Sequence, residues 1–270
     1  MNHRRQPAVA GMFYEADAAA LRSELEGYLT ADTDPVEAVA VVCPHAGTVY
    51  SGPTAGRTFA RVCAPEIAVV VGVNHRDPGA SPLALYDAGT WTTPLGDVDV
   101  DEDFARAWLT GCPAIVADPG AHAREHSLEV QIPFLQLRNP AVRIVPLMVT
   151  THDPATLRSA GTALGETVRD CAGGVLIVAS TDMTHFESAD RAETKDRMAI
   201  DAMLALDPDA LMDTVARRRI SMCGVAPTAL VLHAAVCLGA SQAELVDYRT
   251  SADTTGDRSD VVGYAGVVIR

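Results

Sequence analysis

Three mainly apolar segments stand out along the chain, at residues 39–44, 67–74 and 175–181. Each is rich in valine, isoleucine or leucine and shows no regular alternation between apolar and polar positions. Uninterrupted apolar runs of this length are typical of strands buried on both faces, as in a parallel sheet. The pattern therefore predicts three inner strands, and a histidine or an aspartate directly follows each of them.

Helix signals recur between the apolar segments. Asp17 is a candidate N-cap, because leucines follow it at helical spacing. Asp153-Pro154 and Asp207-Pro208 each place a proline directly after a capping residue, which is an arrangement found at helix starts. Residues 189–206 have the composition of a further helix. Strands that alternate with helices predict an α/β fold, with a mainly parallel or mixed sheet flanked by helices.

Three more strands are predicted, at residues 142–149, 245–250 and 262–269. Pro146 lies inside the first of them and has no N–H to donate to a neighbouring strand. This strand is therefore expected at a sheet edge or beside a bulge. Because no repeat, low-complexity segment or linker divides the chain, we expect one domain over residues 1–270.

Charge and cysteine usage narrow the classes of function. With 35 acidic and 21 basic residues, the formal net charge is −14, which disfavours binding to nucleic acid and to anionic membranes. The six cysteines include no C-x-x-C pair, so a zinc ribbon or a thioredoxin-type site is not expected. No apolar segment has the length of a membrane span, and no apolar region follows the basic N-terminus as in a signal peptide. We expect a cytoplasmic protein with reduced thiols.

The histidines and the aspartate that follow the apolar segments are candidate site residues. In open α/β sheets, ligands bind at the carboxyl ends of the parallel strands. His45, His75 and Asp182 each come directly after such a segment, and His185 lies three positions beyond Asp182. Distant segments are therefore expected to bring two imidazoles and an Asp–His pair to one edge of the sheet. This combination suits a metal site or an acid–base site.

The Asp182–His185 pair has two interpretations. A carboxylate close to an imidazole can orient it and stabilise its charged form, so that His185 acts as a general acid or base near neutral pH. Alternatively, Asp182 is a helix N-cap and His185 a residue of the first turn. The capping role does not exclude a role in a site.

Cys223 and the segment 125–129 supply the remaining candidates. Cys223 precedes an apolar helical stretch, where a thiol has a lowered pKa and can serve as nucleophile or metal ligand. The alternative for Cys223 is a small buried apolar residue. Glu125, His126 and Glu129 either line a pocket or form a capping network at the start of a helix.

Several familiar motifs are absent from the sequence. It contains no G-x-G-x-x-G, no P-loop, no G-x-S-x-G and no H-E-x-x-H. Nicotinamide binding, ATP binding and the usual serine or zincin hydrolases therefore lose support.

Short motifs along nearly the whole chain resemble those of the Memo family, also called AmmeMemoRadiSam system protein B. Their order and spacing together are more specific than any one of them. The motifs are Ala10-Gly-Met-Phe-Tyr14, Pro44-His-Ala-Gly47, Gly72-Val-Asn-His75, Glu125-His-Ser-Leu-Glu129, Ser180-Thr-Asp-Met-Thr-His185, Met222-Cys-Gly224 and Val262-Gly-Tyr264. The resemblance implies an α/β fold related to the class III extradiol ring-cleaving dioxygenases.

The resemblance also implies a mononuclear metal site. In it, His45, His75 and Cys223 would bind the ion, with iron(II) expected and copper or zinc as alternatives. His185 would match the catalytic base of the dioxygenases, and Asp182 would line the same pocket. Two histidines and an anionic ligand suit non-haem iron, whereas a thiolate is softer and also suits copper or zinc. If only one of Asp182 and Cys223 binds, the sequence leaves open which one it is.

Arg76 is a departure from some members of the resembled family. Those relatives carry a second histidine directly after the position that matches His75, and here that position is Arg76. We expect its guanidinium to hold an anionic substrate. The expected substrate pocket then consists of Arg76, His126 and Glu129.

The sequence is compatible with three functions. The first is an iron-dependent, dioxygenase-like oxidoreductase that acts on a small organic metabolite and O2, with His185 as acid or base. The second is a zinc-type metallohydrolase. The third is a non-catalytic adaptor that binds metal or a protein partner. Microbial members of the resembled family commonly sit beside genes for a radical SAM protein and an AMMECR-type protein, so these are candidate partners.

Overall fold

The computed structural model describes residues 3–76 and 80–270. Its strands are Arg4–Arg5 (β1), Ala40–Cys43 (β2), Ile67–Val73 (β3), Leu83–Leu85 (β4), Thr90–Thr93 (β5), Gly96–Asp99 (β6), Val116–Ala117 (β7), Arg143–Val149 (β8), Val175–Ser180 (β9), His185–Glu187 (β10), Ala243–Thr250 (β11) and Val261–Ile269 (β12). Its helices are Ala18–Tyr28 (α1), Thr48–Ala60 (α2), Glu102–Gly111 (α3), Ile132–Arg138 (α4), Pro154–Asp170 (α5), Ala189–Leu204 (α6), Pro208–Arg218 (α7), Val225–Cys237 (α8) and Ala252–Thr255 (α9). Two 3-10 turns, Pro119–His122 and Glu129–Gln131, lie between β7 and α4.

The larger sheet is mixed, and four parallel strands form its centre. Its order is β10-β12-β2-β9-β3-β8-β4-β7, with β11 also paired to β12. Strands β2, β9, β3 and β8 run parallel, whereas β12 and β4 join them antiparallel on the two sides. Helices pack on both faces of the sheet. The prediction of an α/β fold with a mainly parallel or mixed sheet is therefore confirmed.

The three apolar segments form the inner strands β2, β3 and β9, as predicted. Successive side chains of a strand point to opposite faces of the sheet. Val69 and Val71 of β3 lie in the core under α3, α5 and α8. Ala68 and Val70 lie in the core under α1, α2 and α4. Burial on both faces explains why these segments lack alternation.

The aspartates predicted as N-caps occupy the starts of three helices. Asp17, Asp153 and Asp207 accept hydrogen bonds from backbone N–H groups in the first turns of α1, α5 and α7. The helix predicted at residues 189–206 is α6, which ends at Leu204; two residues on, Leu206 has a positive φ of 55°. No helix in the described part of the chain has the length and apolar character of a membrane span.

The prediction for Pro146 was wrong, because β8 lies inside the sheet between β3 and β4. The Pro146 carbonyl accepts a hydrogen bond from Tyr86 N–H at 3.0 Å, so the side of Pro146 that lacks an N–H faces β4. Strand β4 ends at Leu85, directly before Tyr86. The missing donor thus coincides with the end of a short neighbouring strand and does not place β8 at an edge.

A second sheet, β1-β5-β6, fixes the N-terminal segment. Strand β1 runs parallel to β5, with Arg5 opposite Trp91. This pairing places the Arg5 side chain in the interior, with its guanidinium carbon 4.1 Å from the centre of the Trp91 ring. The arrangement brings a buried cation next to the segment that carries His126.

Candidate metal centre

His45, Asp182 and His75 lie at the carboxyl ends of three adjacent strands. They follow β2, β9 and β3, which are neighbours in the sheet in that order. The imidazole rings of His45 and His75 have centroids 5.3 Å apart and meet edge to face. Parallel pairing therefore brings together side chains from distant parts of the sequence.

The His126 imidazole completes a group that we call the histidine cluster, made of His45, His75 and His126. One candidate ligand atom from each of the three lies within 4.8 Å of the other two. The His126 ring stacks on His75 at a centroid distance of 4.6 Å and lies 4.5 Å from the ring of Phe13. His45 and His126 are buried, whereas 30% of the His75 side chain is exposed. The cluster is therefore open to solvent on the His75 side.

Ser180 fixes the protonation of the His45 ring. Its hydroxyl donates to the carbonyl of Ser127 at 2.6 Å, accepts from Gln131 Nε2 at 2.8 Å and lies 2.9 Å from His45 Nδ1. Because the single hydroxyl proton is directed to Ser127, the oxygen accepts from His45 Nδ1. The ring proton is then on Nδ1, and Nε2 keeps the lone pair that binds a metal ion.

Glu125 fixes the His75 ring in the same way. Its Oε1 lies 2.9 Å from His75 Nδ1, and its Oε2 accepts from the His75 backbone N–H at 2.6 Å. An ionised carboxylate only accepts, so Nδ1 carries a proton, and in the neutral ring Nε2 has the lone pair. Burial would raise the pKa of Glu125, but the hydrogen bond and charge of His75, with backbone N–H donors, hold this pKa at about 2.

The protonation state of the His45 and His126 rings also suits metal binding. Burial, with the neighbouring histidines, lowers the pKa of His45 to about 3 and that of His126 to about 4. Both rings are therefore neutral at pH 7, which is the form that binds metals. His126 Nδ1 is buried and lies 3.2 Å from Glu125 Oε1 without a hydrogen bond to it or to any other described group. A buried nitrogen without a partner is costly, and a nearby cation would lower that cost.

Cys223 lies beside the histidine cluster and contacts His45. Its Sγ is 3.4 Å from His45 Nε2 and accepts from the Asp182 backbone N–H at 3.3 Å. With usual bond lengths, sulfur and nitrogen ligands of one tetrahedral zinc ion are about 3.6 Å apart, so this contact is compatible with a shared ion. Cys223 is not in the group whose ligand atoms all lie within 4.8 Å of one another. Its place among the ligands stays a prediction.

Close packing at Gly224 places Cys223 at the site. A Cβ at this glycine would lie 2.7 Å from the Ser180 carbonyl oxygen, so only glycine lets the start of α8 approach the end of β9 this closely. The expected lowering of the thiol pKa at a helix start is not found. Burial, together with the Asp182 charge, raises the pKa of Cys223 to about 12. A metal ion must therefore displace the thiol proton.

Asp182 supports His45, although the sequence suggested that it orients His185. Its Oδ1 accepts from the backbone N–H groups of His45 at 2.7 Å and Ala46 at 3.3 Å, and its Oδ2 lies 4.0 Å from His45 Nε2. Burial raises the pKa of the Asp182 carboxyl. Its position near a metal-binding nitrogen suits electrostatic support of a bound cation.

Ser221 orients His185. The His185 Nδ1 lies 2.9 Å from the carbonyl oxygen of Ser221, and the His185 backbone N–H donates to the Ser221 hydroxyl at 2.7 Å. Because a carbonyl only accepts, Nδ1 carries a proton, and in the neutral ring Nε2 has the lone pair. This is the arrangement of a general base.

Of the three residues predicted to line the substrate pocket, only His126 lies in the histidine cluster; Arg76 is at the surface and Glu129 is in a separate buried network. Arg76 is exposed and follows His75 directly, and its backbone N–H donates to Asn74 Oδ1 at 2.9 Å. Glu129 is buried in a network with the N-terminal segment, where both of its oxygens accept hydrogen bonds from that segment. The histidine cluster thus includes one residue that was expected in the substrate pocket.

Sequence reasoning missed the roles of Ser180 and Gln131. Gln131 Nε2 donates both to Ser180 Oγ and to the Pro44 carbonyl at 2.9 Å, and so ties the His45 loop to the 3-10 turn. A signal was present, since Gln131 lies between Val130 and Ile132, and Ser180 directly follows the apolar residues 175–179. Buried polar residues of this kind require hydrogen-bond partners, and at a strand end those partners include site residues.

The fold and the histidine cluster define an α/β protein with a candidate metal centre at the carboxyl edge of a parallel sheet. The family described as "Memo-like protein" matches residues 5–268. The chain is 42% identical to a MEMO1 family protein of Methanopyrus kandleri, over 98% of this chain and 99% of the relative. It is 38% identical to MEMO1 family proteins of Methanothermobacter thermautotrophicus, over 97% and 98%, and of Aquifex aeolicus, over 98% of each. The chain belongs to the Memo family.

Proposed function

We propose that this protein is a mononuclear metal-dependent oxidoreductase of the dioxygenase-like kind, acting on a small organic molecule and O2. The observation that carries the proposal is the histidine cluster. In it Nδ1 of His45 and of His75 is engaged, so that Nε2 of each neutral ring has the lone pair for a metal ion, with Cys223 Sγ 3.4 Å from Nε2 of His45. Imidazole nitrogens with a solvent-open side suit iron(II), with copper or zinc as alternatives. When bound, iron(II) would supply the one-electron chemistry that O2 requires.

His185 would move the substrate proton in this reaction. Its Nδ1 is tied to the Ser221 carbonyl, so its Nε2 can accept a proton from an enolisable substrate and later return it. Asp182 would order the His45 loop and stabilise the positive charge of the centre. Arg76, exposed beside His75, would attract an anionic group of the substrate.

A zinc hydrolase is the second candidate, and Cys223 favours it. Its sulfur lies 3.4 Å from His45 Nε2, and a thiolate beside imidazoles is a common zinc ligand set. Zinc would lower the pKa of a water molecule for attack on an ester or amide, with His185 as the proton carrier. Such an enzyme would turn over without O2.

Metal analysis of protein purified without oxygen tests the proposal. We expect one metal ion per chain in the wild type, a large loss of metal in His45→Ala, and O2 uptake by the iron-loaded protein with a matching substrate. Bound zinc with anaerobic ester or amide turnover would favour the hydrolase. A wild type that binds none of iron, copper and zinc would overturn both functions.

The ligand set can be tested separately with cobalt(II). If Cys223 binds the ion, the wild type shows a sulfur-to-cobalt charge-transfer band that Cys223→Ser lacks. If His126 is the third ligand, Cys223→Ser keeps its metal affinity and His126→Ala loses it. Either result identifies the third ligand without a known substrate.

We also propose a cytoplasmic location and partners of the radical SAM and AMMECR types. All six cysteines are free thiols, which suits a reducing compartment. Co-purification from the native cell under reducing conditions would test the partners, and recovery of neither type would count against them.

A further inference from the structure

Glu125 lies behind the histidine cluster, and the proposed reaction gives it no role. It follows the 3-10 turn Pro119–His122 and is only 2% exposed. Its two oxygens accept four hydrogen bonds, all from groups at or beside the cluster. A carboxylate buried this deeply has a large desolvation cost, so its partners indicate why the chain keeps it there.

The first pair of contacts holds His75 at two points. Glu125 accepts from the backbone N–H and from the ring Nδ1 of His75, at 2.6 and 2.9 Å. The backbone contact fixes the position of His75 just after the end of β3. The ring contact fixes the rotation of the imidazole and keeps its proton on Nδ1. His75 is the most exposed member of the cluster, so packing restrains it least.

The second pair of contacts extends to the segment that carries His126. Glu125 Oε1 accepts from the backbone N–H groups of His126 and Ser127, at 2.9 and 2.8 Å. The Ser127 hydroxyl in turn donates to the Val73 carbonyl at 2.6 Å. One carboxylate therefore joins the end of β3 to the segment that supplies the third imidazole.

We propose that Glu125 is the positioning residue of the metal centre. It sets the tautomer and rotation of His75, and it ties the backbone of His126 to the same point, so that both rings face one ion. Its negative charge also makes His75 a more basic ligand. The proposal rests on the proposed function in that the cluster binds metal, and Glu125 acts only through the histidines.

The ring tautomer tests this inference without any metal. Long-range proton–nitrogen correlation spectra of ¹⁵N-labelled protein are expected to show His75 with its proton on Nδ1 in the wild type. In Glu125→Ala, which has no acceptor, we expect the Nε2–H form to appear. An unchanged His75 tautomer in a folded Glu125→Ala variant would overturn the inference, whatever the protein binds.

Metal affinity gives the second readout, with Glu129→Gln as matched control. Glu129 is an equally buried carboxylate of the same segment, but within the described part of the chain its side chain bonds only to the N-terminal segment. Competition with a chelator, using Zn²⁺ and anaerobic Fe²⁺, is expected to show about 10- to 100-fold weaker binding in Glu125→Gln. Glu129→Gln should keep the wild-type metal affinity even where its thermal stability falls.

The possible outcomes separate the inference from the proposed function. Wild-type affinity in a folded Glu125→Gln variant would overturn the positioning role while the metal centre stands. Equal weakening in both variants would mean that general destabilisation, and not positioning, controls the affinity. A wild type without metal affinity would overturn the proposed function. The tautomer measurement would still decide whether Glu125 fixes the tautomer of the His75 ring.

Discussion

Glu125 and Glu129 are buried carboxylates of one short segment, yet they serve different parts of the molecule. Both are almost fully buried, and each accepts four hydrogen bonds. Glu129 binds the Arg5 guanidinium at 2.6 Å, two backbone N–H groups and the Tyr14 hydroxyl, so its charge is neutralised within the fold. Among the described residues, the carboxylate of Glu125 has no permanently charged partner. Its charge remains available to His75 and to a cation beyond it.

The chemistry of the partners distinguishes a site carboxylate from a structural one. Burial and the number of hydrogen bonds are nearly the same for the two residues. The Arg5 guanidinium even contacts both, but it reaches Glu125 only through the backbone carbonyl, at 2.6 Å. A carboxylate whose bonds go to imidazoles and loop N–H groups organises a site, whereas one paired with a guanidinium anchors a chain segment.

Removal of Glu129 is expected to have the largest effect on stability. In Glu129→Ala, the buried Arg5 loses its charge partner, and breaking a buried pair in this way costs about 3–5 kcal/mol. The free energy of unfolding, measured in urea, should fall by that amount. Asp97→Ala, which removes the partner of Arg4 in an exposed pair, is the control and should change little. A loss below about 1 kcal/mol in Glu129→Ala would mean that this network does not anchor the N-terminal segment.

The free energy of unfolding is expected to fall in acid, because His45 and His126 are buried as neutral rings. The pKa values of His45 and His126 are lowered to about 3 and about 4, so between these values and the unfolded value near 6.5 only the unfolded chain takes up the protons. Stability is therefore complete above pH 6.5 and falls as the pH decreases through this window.

From pH 7.5 to pH 5.5, the two rings together should reduce the unfolding free energy of the metal-free protein by about 3 kcal/mol. Urea denaturation at a series of pH values measures this loss, with a chelator present throughout. The double variant His45→Asn with His126→Asn serves as control and should lose less over the same range. A wild-type profile that is flat from pH 7.5 to pH 5.5 would contradict the burial of neutral imidazoles.

Much of the architecture could be predicted from the sequence, because its signals are local. Apolar runs buried on both faces gave β2, β3 and β9, and parallel pairing then gave the edge where His45 and His75 meet. The placement of Pro146 was beyond this reasoning, since it depends on where a partner strand ends.

The details of the site depend on tertiary contacts that sequence spacing does not encode. Glu125 and Glu129 look alike in the motif Glu125-His-Ser-Leu-Glu129, and only their partners in the fold separate them, His75 for Glu125 and Arg5 for Glu129. The lowered thiol pKa expected at Cys223 assumed a helix start open to water, whereas burial beside Asp182 raises this pKa. Such effects follow from desolvation, which requires a known environment.

A substitution at Gly72 is expected to have a smaller effect, limited to the contact between β3 and the segment that carries Glu125. A Cβ at this position would lie 2.7 Å from Leu128 Cδ1 and 2.9 Å from Ser127 Oγ, so the segment behind His75 would have to move away from β3. Overpacking of this kind costs about 1–3 kcal/mol. We expect Gly72→Ala to lose stability in this range and also to weaken metal binding.

Gly27→Ala is the matched control for Gly72→Ala. A Cβ at Gly27, inside α1, would meet nothing within 4 Å, so this change should be neutral or slightly stabilising and leave the metal affinity unchanged. If Gly72→Ala kept both wild-type stability and wild-type metal affinity, the close contact between β3 and the segment would not matter to the centre.

Ser180→Ala should have the smallest effect on metal affinity. It tests whether the charge of Glu125, and not only its hydrogen bonds, supports metal binding. Ser180 supports His45 as Glu125 supports His75, but through a neutral hydroxyl. Its removal leaves Gln131 Nε2 with its bond to the Pro44 carbonyl, but His45 Nδ1 and the Ser127 carbonyl lose their partner. The expected cost is about 1–3 kcal/mol of stability. Because no negative charge is lost, zinc affinity by chelator competition should fall by less than about 10-fold. Were Ser180→Ala to weaken zinc binding as strongly as Glu125→Gln, orientation alone would explain the role of both residues, and the charge of Glu125 would add nothing.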